Sequence, residues 1–268
     1  MDGIFMCKGS AMVHTPSKSD ALYVRMRSDI LSLDLLPGSA LRLPALSCRY
    51  GIGVTPIREC LNRLSIDKLV FIEHNKGFRV ANLSLDDLLD IERSRSTIEG
   101  ELFLQAIRIG DDAWEAAIIG AYHHLLAASP VSVLGTQDDL DRWNRRHAAF
   151  HDALIAGRQS PWMQRFQRQL ADQLGRYQKF IQIGLRDLHN SHPDAAPKAA
   201  EAYATALAMS PHDDLYQVAL SRDVSAAQTV FQAHVNLSIQ AFESLMALVP
   251  ANTSMAQTLS VPAVEMQI

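Results

Sequence analysis

Four histidines in the second half of the chain are the side chains best suited to chemistry. His147 and His151 are four residues apart in a segment with helical periodicity, so both imidazoles fall on one helix face. His212 and His234 lie on two later predicted helices, where antiparallel packing could turn both inward. Neutral imidazoles on one face commonly begin a transition-metal site that histidines elsewhere complete. On spacing alone, ordinary surface or core histidines are the favoured interpretation.

A second set of candidate residues lies in the first third of the chain, on a predicted helix-turn-helix. A short helix over residues 44–50 is followed by Gly51 and Gly53, which supply a tight turn. The next helix is predicted to have Thr55 as its cap and Pro56 at its first position. In DNA-binding proteins of this type, the second helix enters the major groove.

The second helix has one apolar face and one polar, basic face. Ile57, Leu61 and Leu64 repeat at helical spacing and form the stripe that we expect to be buried. The other face carries Thr55, Arg58, Asn62 and Arg63, and the first three of these are expected to read bases. An ordinary solvated arginine is the alternative interpretation of Arg58.

Two β-prone runs follow this helix and predict a β-hairpin. They cover residues 69–73 and 78–81. A hairpin in this position is the wing of a winged helix, and His74, Lys76 and Arg79 lie where a wing meets DNA. Three cations are expected to engage phosphates and so make affinity salt-dependent: Arg49, Lys76 and Arg79.

Length and charge fit two domains of opposite character. The 268 residues are 48% hydrophobic with a mean hydropathy near zero, which is typical of a soluble globular protein. Residues 18–80 carry ten Lys or Arg and six Asp or Glu, although the whole chain has a net charge of −4. A basic segment on an acidic body is typical of a DNA-binding domain joined to a regulatory domain. An uneven but solvated surface is the alternative.

The predicted location is the cytoplasm. No apolar run approaches the ~20 residues that a membrane helix needs, and the first residues lack the pattern of a secretory signal. The three cysteines form no CxxC pair, which fits reduced thiols.

The predicted fold is mainly α: a winged helix-turn-helix followed by an antiparallel all-α bundle. We expect flexible tails at residues 1–18 and 250–268, the DNA-binding domain at residues 19–83 and a regulatory domain at residues 84–249. Periodicity and caps predict helices over residues 84–109, 111–128, 136–156, 161–186, 201–220 and 223–248, with residues 187–200 as a connection. A later start of the helix that bears His212, after Pro211, is the alternative.

The first third of the chain resembles the GntR family of bacterial transcription regulators. The resemblance covers about residues 20–82 and is carried by L-x-PG-x-x-L-x-x-x-x-L, then YGIGVTPIRECLNRL, then the GFRV of the wing. It implies DNA contacts for Thr55, Arg58, Lys76 and Gly77. Many members have Ser-Arg where this chain has Gly53 and Val54, so the base preference of the family does not carry over.

The helical half is similar to the all-α effector (FCD) domain of the FadR-type branch of that family. The similarity is carried by Arg95-x-x-Ile-Glu99, HAAFHDAL, the segment over residues 212–223, and His234. Further similarity in DDAWEAAIIGAYHHLL and HDALIAGRQSPWMQRF points to the CsiR-like subgroup, some of whose members respond to glutarate-type dicarboxylates.

This resemblance implies a metal site, with one departure. In metal-binding members, three histidines and an Asp or Asn hold a divalent ion beneath a carboxylate ligand. His151, His212 and His234 fall on the histidine positions, whereas His147 stands at the acidic position. Either all four ligands are histidines, or another residue or water replaces His147, with Asn144 as a weaker candidate. Nitrogen-rich ligation favours Zn, Ni or Cu over Mg or Ca, and of these Zn or Ni is expected.

Arg95 corresponds, by the same resemblance, to an arginine that faces the effector pocket. Its guanidinium is a planar fork matched to a carboxylate, so beside a metal it would select small organic acids. An intrahelical ion pair with Glu99 is the equal alternative.

The function implied is a ligand-responsive bacterial transcription regulator rather than an enzyme. We expect a homodimer on a pseudo-palindromic double-stranded operator, and a small carboxylic acid beside the metal that releases it, so that the protein acts as a repressor. The alternatives are a metal-dependent helical-bundle enzyme and a sensor whose metal is purely structural. The enzyme is disfavoured because the histidines lack an HExxH motif and a nearby carboxylate base.

Overall fold

A computed structural model describes residues 18–73, 76–157, 160–194, 196–249 and 258. Apart from Lys18 and Thr258, the two predicted tails lie outside these residues, and so does His74 of the predicted wing. We call residues 18–83 the head and residues 84–249 the bundle. None of the described helices is long and apolar enough to cross a membrane.

The head combines three helices with a three-stranded antiparallel sheet. Its elements are α1 (Lys18–Leu31), β1 (Ala40–Leu41), α2 (Leu43–Tyr50), α3 (Val54–Ile66), β2 (Val70–Glu73) and β3 (Gly77–Val80). The strand order is β1-β3-β2, and Val70 of β2 lies opposite Val80 of β3. The predicted hairpin is therefore confirmed. Strand β1 has only two residues, too few for alternation to predict it.

Apolar spacing explains how the helices of the head pack. Leu22, Met26 and Ile30 recur every four residues along α1 and are at most 2% exposed. The predicted α3 stripe is fully buried and shares one core with them. Two amphipathic helices thus bury their stripes together, which leaves the polar face of α3 outside.

The turn into α3 requires one left-handed glycine rather than two. Gly51 has a φ of 66°, whereas Gly53 has a φ of −61° and serves as the N-cap of α3. The prediction that Thr55 caps this helix is therefore wrong. The chain adopts helical geometry at Val54 already, and Pro56 is tolerated there because N–H groups in a first turn have no intrahelical acceptor.

The bundle contains seven helices in the described residues. They are α4 (Leu85–Ile109), α5 (Asp112–Leu126), α6 (Gln137–Ile155), α7 (Pro161–Ser191), α8 (Ala196–Leu207), α9 (Ser210–Ser221) and α10 (Val224–Leu248). Four of them begin at a side chain that accepts a hydrogen bond from a first-turn N–H: Ser84, Asp111, Thr136 and Asp223. These caps confirm the predicted starts of α4, α5, α6 and α10.

The middle of the bundle differs from the prediction. Helix α7 continues to Ser191, and residues 196–221 form two helices where one helix and a connection were expected. Ala199, Tyr203 and Leu207 are buried at helical spacing, which stabilises α8. Pro211 lies in the first turn of α9, a position that favours the start of a new helix.

The two glycines of the turn should respond differently to substitution. We expect Gly51→Ala to lower the free energy of local opening by about 1 kcal/mol, because alanine is strained in the left-handed region. We expect Gly53→Ser to raise it by about 0.5 kcal/mol, since serine caps well and restricts the unfolded chain. Hydrogen exchange of residues 44–66 measures both changes, and equal effects of the two substitutions would contradict this account of the turn.

Candidate functional site

The four histidines meet inside the bundle. His147 and His151 come from α6, His212 from α9 and His234 from α10. A ring nitrogen of each lies within 4.8 Å of a ring nitrogen of every other, and the Nε2 atoms of His147 and His151 are 3.1 Å apart. Tertiary packing thus joins residues up to 87 positions apart into one group, which we call the histidine cluster.

Hydrogen bonds decide which ring nitrogens are available. Nδ1 of His212 lies 2.7 Å from the carbonyl oxygen of Ala208, and since a carbonyl only accepts, this nitrogen carries the proton. Nε2 of His212 then has a lone pair, and it is buried without a partner in the described part of the chain. Nδ1 of His234 is also buried without such a partner. A cation at the centre would satisfy nitrogens that are otherwise costly to bury.

Burial keeps the cluster neutral. Desolvation holds the pKa values of His147, His151 and His234 well below the ordinary value, and neighbouring histidines and Arg95 lower them further. Desolvation also lowers the pKa of His212. Neutral imidazoles present lone pairs at neutral pH, as metal ligation requires.

The donor set fits a transition metal. Nitrogens about 2.0–2.1 Å from one tetrahedral zinc lie roughly 3.4 Å from one another, close to the 3.1 Å between two of these. No carboxylate belongs to the group among the residues that the structure describes. Asn144, the weaker candidate, instead exchanges hydrogen bonds with Gln182 of α7 at 3.1 and 3.2 Å.

Arg95 lies between two carboxylates of its own helix. Its Nε donates to Glu99 at 2.7 Å and its Nη1 to Glu92 at 3.5 Å, with all three side chains at most 7% exposed. Desolvation opposes the charge, but Glu99 and Glu92 outweigh it and raise the pKa of Arg95. The expected pair with Glu99 is therefore present, and the pair with Glu92 was missed by the sequence analysis.

A cavity lies beside the cluster and Arg95. Its empty space, open solvent included, is about 590 Å³, and the part of it in which a water molecule can be centred is about 40 Å³. Arg95, His147 and His234 form part of its wall. Helices α7, α8 and α10 supply most of the rest, including Leu174, Tyr177, Ile181, Tyr203, Leu207 and Phe242.

Most residues of this wall were not predicted as site residues, and two of them contact other polar or aromatic groups. Trp143 stacks on His147 with ring centroids 4.5 Å apart, and its position four residues earlier on the same helix face was a usable signal. Tyr203 comes from α8, which was not predicted as a separate helix, so no signal for it existed. Its hydroxyl accepts a hydrogen bond from Gln182 at 3.4 Å.

The polar face of α3 is open to a partner. Thr55, Arg58 and Asn62 are all exposed. In the described ranges, no hydrogen bond or ion pair engages the Arg58 guanidinium, so its full charge and all its donors remain available. The position of these side chains is that of base-reading residues on a recognition helix, and their individual roles stay predictions.

The expected phosphate contacts already have carboxylate partners. Arg49 pairs with Asp29 at 2.8 Å, and Arg79 pairs with Glu73 at 2.8 Å. Lys76 lies 3.4 Å from the same Glu73. Gly77, whose φ is 92°, follows Lys76 in the wing. DNA phosphates would have to compete with Asp29 and Glu73, whose side chains are only 17% and 25% exposed, for cations that are themselves 37–68% exposed.

A winged helix-turn-helix joined to a helical domain with an internal cavity defines a DNA-binding transcription regulator. Comparison with known families makes this specific. Residues 18–80 match the gntR family of bacterial regulatory proteins, and residues 90–237 match the FCD domain. The chain belongs to the GntR family, in its FadR-type branch with an FCD domain, and the GntR winged helix implies DNA binding.

Individual relatives agree with this assignment. The HTH-type transcriptional repressor GlaR of Escherichia coli K12 is 30% identical over 230 residues, which cover 84% of this chain and 96% of the relative. The HTH-type transcriptional regulator BphR of Paraburkholderia xenovorans LB400 is 30% identical over 220 residues, which cover 82% of this chain and 83% of the relative.

Solved structures show the same fold at lower identity. A GntR transcriptional regulator from Rhodococcus sp. RHA1 has a TM-score of 0.60 at 18% identity, with 84% of this chain and 98% of that chain covered. E. coli McbR/YncC has a TM-score of 0.56 at 18% identity, with 85% of this chain and 100% of that chain covered. The predicted mainly α architecture is therefore confirmed.

Arg58 offers a direct test of the DNA-binding face. We expect Arg58→Ala to weaken binding to the protein's own promoter about ten- to hundredfold, because the substitution removes the arginine that is predicted to read bases. Arg63→Ala is the matched control on the same helix: Arg63 pairs with Asp20 at 3.0 Å and lies 4.3 Å from the Tyr23 ring centroid, so it faces the head. Fluorescence anisotropy at several salt concentrations measures both, and unchanged affinity in Arg58→Ala would refute the assignment.

Proposed function

We propose that this protein is a homodimeric repressor released from its operator by a small carboxylic acid, with dicarboxylates as the candidate class of effector. The acid binds beside a Zn²⁺ or Ni²⁺ ion held by His147, His151, His212 and His234. The observation that carries the proposal is that His147 and His234 of the histidine cluster share the wall of one cavity with Arg95. The ion supplies a Lewis-acid centre for a carboxylate oxygen.

The charges around the cavity make acid binding depend on the metal. Arg95 adds one positive charge but lies between Glu92 and Glu99, while the four imidazoles are neutral. The wall therefore has no surplus positive charge of its own, and burying a carboxylate against it would be costly. A divalent cation adds two positive charges and reverses this balance.

Arg95 would orient the acid. Its ion pairs use Nε and Nη1, and we assign Nη2 to the ligand. A guanidinium held rigidly by two carboxylates loses little side-chain entropy on binding, which favours a defined ligand orientation. The apolar wall then excludes water from the carbon chain of the acid.

Release of the operator follows from the two-domain arrangement. Two protomers present their α3 helices to successive major grooves of a pseudo-palindromic operator. An acid changes operator affinity only through its different affinity for the DNA-bound and free arrangements. Repression, rather than activation, is supported by the repressor GlaR, which is similar to this chain over most of its length.

Metal binding is tested by thermal unfolding with and without Zn²⁺. At a hundredfold excess over its dissociation constant, Zn²⁺ should stabilise the wild type by about 2.7 kcal/mol. His234→Gln keeps a polar side chain but removes a ligand, and should weaken Zn²⁺ binding at least about tenfold. His123→Gln, at an exposed histidine of α5, is the control. A wild type equally stable and equally responsive after chelation would reject metal involvement.

Effector binding is tested by release of promoter DNA in a panel of mono- and dicarboxylic acids. We expect release only with the metal bound, and a response at least about tenfold weaker in Arg95→Lys, because lysine keeps the charge but lacks the fork. Zn²⁺ affinity measured on the same variant is the control. Release by an acid after complete chelation would contradict the charge argument, while a metal that stabilises without any acid response would favour a structural ion.

A further inference from the structure

One helix borders both the cavity and the head. Four residues of α7 form part of the cavity wall: Leu174, Tyr177, Gln178 and Ile181. On a neighbouring face of the same turns, Asp172, Gln173 and Arg176 contact the head. The two sets interleave along about three turns of one helix, so a displacement that affects one set must move the other.

These contacts hold the end of the recognition helix. The side-chain amide of Gln173 donates to the carbonyl oxygens of Asp67 and Lys68 at 3.3 and 3.1 Å, directly after α3. Lys68 has a φ of 60°, so the chain turns sharply at this point. Asp172 forms an ion pair with Arg27 of α1. Helix α7 therefore contacts the head at α1 and at the end of α3.

Arg176 is the unusual member of this group. It is 0% exposed, its Nη1 donates to Gln173 at 2.8 Å, and its Nη2 donates to the carbonyl oxygen of Ala81. Its Nε is buried without a partner, and no carboxylate forms an ion pair with it, within the ranges that the structure describes. Its direct acceptors are neutral and the charge of Asp87 acts on it without an ion pair, so it is stabilised less than a guanidinium that binds a carboxylate directly. Its desolvation lowers its pKa to about 10, so it remains charged at neutral pH.

A neighbouring residue ties the same helix to the junction of the two domains. The Tyr177 hydroxyl accepts from the backbone N–H of Ser84 at 2.9 Å and lies 2.8 Å from Asp87. Ser84 is the N-cap of α4, the first helix of the bundle. Tyr177 also forms part of the cavity wall. Cavity, junction and head thus meet within two consecutive residues of α7.

We propose that Arg176 is a positioning residue that, with Gln173, clasps the head to α7 and transmits the state of the cavity to the recognition helix. The inference rests on the proposed function, since it gives the route by which an effector acts. Docking removes the Arg176 charge from water, and its two hydrogen bonds offset only part of that cost. This cost reduces the free-energy difference by which the docked arrangement of the head is favoured over a released one, and a ligand that shifts α7 would select between them.

Hydrogen exchange of the full chain, measured with and without DNA, tests the clasp. The probe is double-stranded DNA that the wild-type protein has selected from a random library. Because coupling is reciprocal, DNA bound to the head should change exchange in the cavity-wall segment, residues 174–181. In the wild type, DNA should change the exchange rates of these amides about tenfold, which corresponds to the free energy of one charged hydrogen bond. In Arg176→Met, DNA should leave these rates unchanged. Arg165→Met, at an exposed arginine of the same helix, should behave as the wild type.

Further variants separate positioning from mere structural support. Arg176→Lys should restore part of the coupling, since an ammonium can still donate to Ala81. If Arg176→Met does not fold, Gln173→Leu removes the second half of the clasp and should also abolish the DNA-induced change at residues 174–181. An equal change in the wild type and in the folded clasp variants, or no change in the wild type, would overturn the inference.

Zn²⁺ binding, measured on the same samples, keeps the two proposals apart. A wild type that transmits the DNA signal to residues 174–181 but binds no Zn²⁺ supports the clasp and rejects the metal-dependent effector site. A wild type that binds Zn²⁺ but shows no DNA-induced change in the cavity wall supports the metal site and rejects the clasp.

Discussion

The neutrality of four clustered imidazoles, three of which belong to residues at most 9% exposed, is the constraint on which the centre of the bundle depends. A protonated histidine at this depth would be an unpaired charge in a low-dielectric core. The surrounding aromatic rings favour the neutral form because they keep water away from the imidazoles. Trp143 stacks on His147 with ring centroids 4.5 Å apart, and Phe150 meets His151 edge-on with ring centroids 5.8 Å apart. Water is displaced from the rings on these sides, and their lone pairs are left to face one another. Such a group of donors is best satisfied by a cation.

The same constraint gives the cavity its chemical character. Apolar residues of α7, α8 and α10 provide most of the wall, so the polar groups that remain have a large influence on what binds. Arg95 cannot attract an anion strongly by itself, because Glu92 and Glu99 balance its charge. A site built in this way would discriminate between acids only when an ion is present. The long helix α7 then extends from this wall to the head, where Arg176 lies.

Local sequence signals predicted the parts of the molecule that local physics determines. The stripe of Ile57, Leu61 and Leu64 and the cap at Ser84 depend on residues within one or two helical turns, and both are found as expected. Helix α8 was missed because an alanine-rich segment is equally compatible with a connection and with a helix, whereas the alternative start of the next helix after Pro211 is close to the observed start of α9 at Ser210. The cap at Gly53 was missed because a threonine followed by proline is the stronger local signal.

The site was only partly accessible to the same reasoning. Spacing put His147 and His151 on one face, but their meeting with His212 and His234 depends on long-range packing that no local pattern encodes. Glu92 lies three residues before Arg95, where an ion pair could have been anticipated. Arg176 offered no such signal, since its acceptors are a neighbouring glutamine and a backbone carbonyl 95 residues away.

X-ray absorption at the zinc edge, on the full chain loaded with Zn²⁺, tests the central claim most directly. We expect Zn²⁺ to be coordinated mainly by imidazole nitrogens at about 2.0–2.1 Å, with an added oxygen ligand when an effective acid is present. A shell of oxygen or sulfur atoms without imidazole would contradict this expectation, because the ion would then be bound away from the histidine cluster.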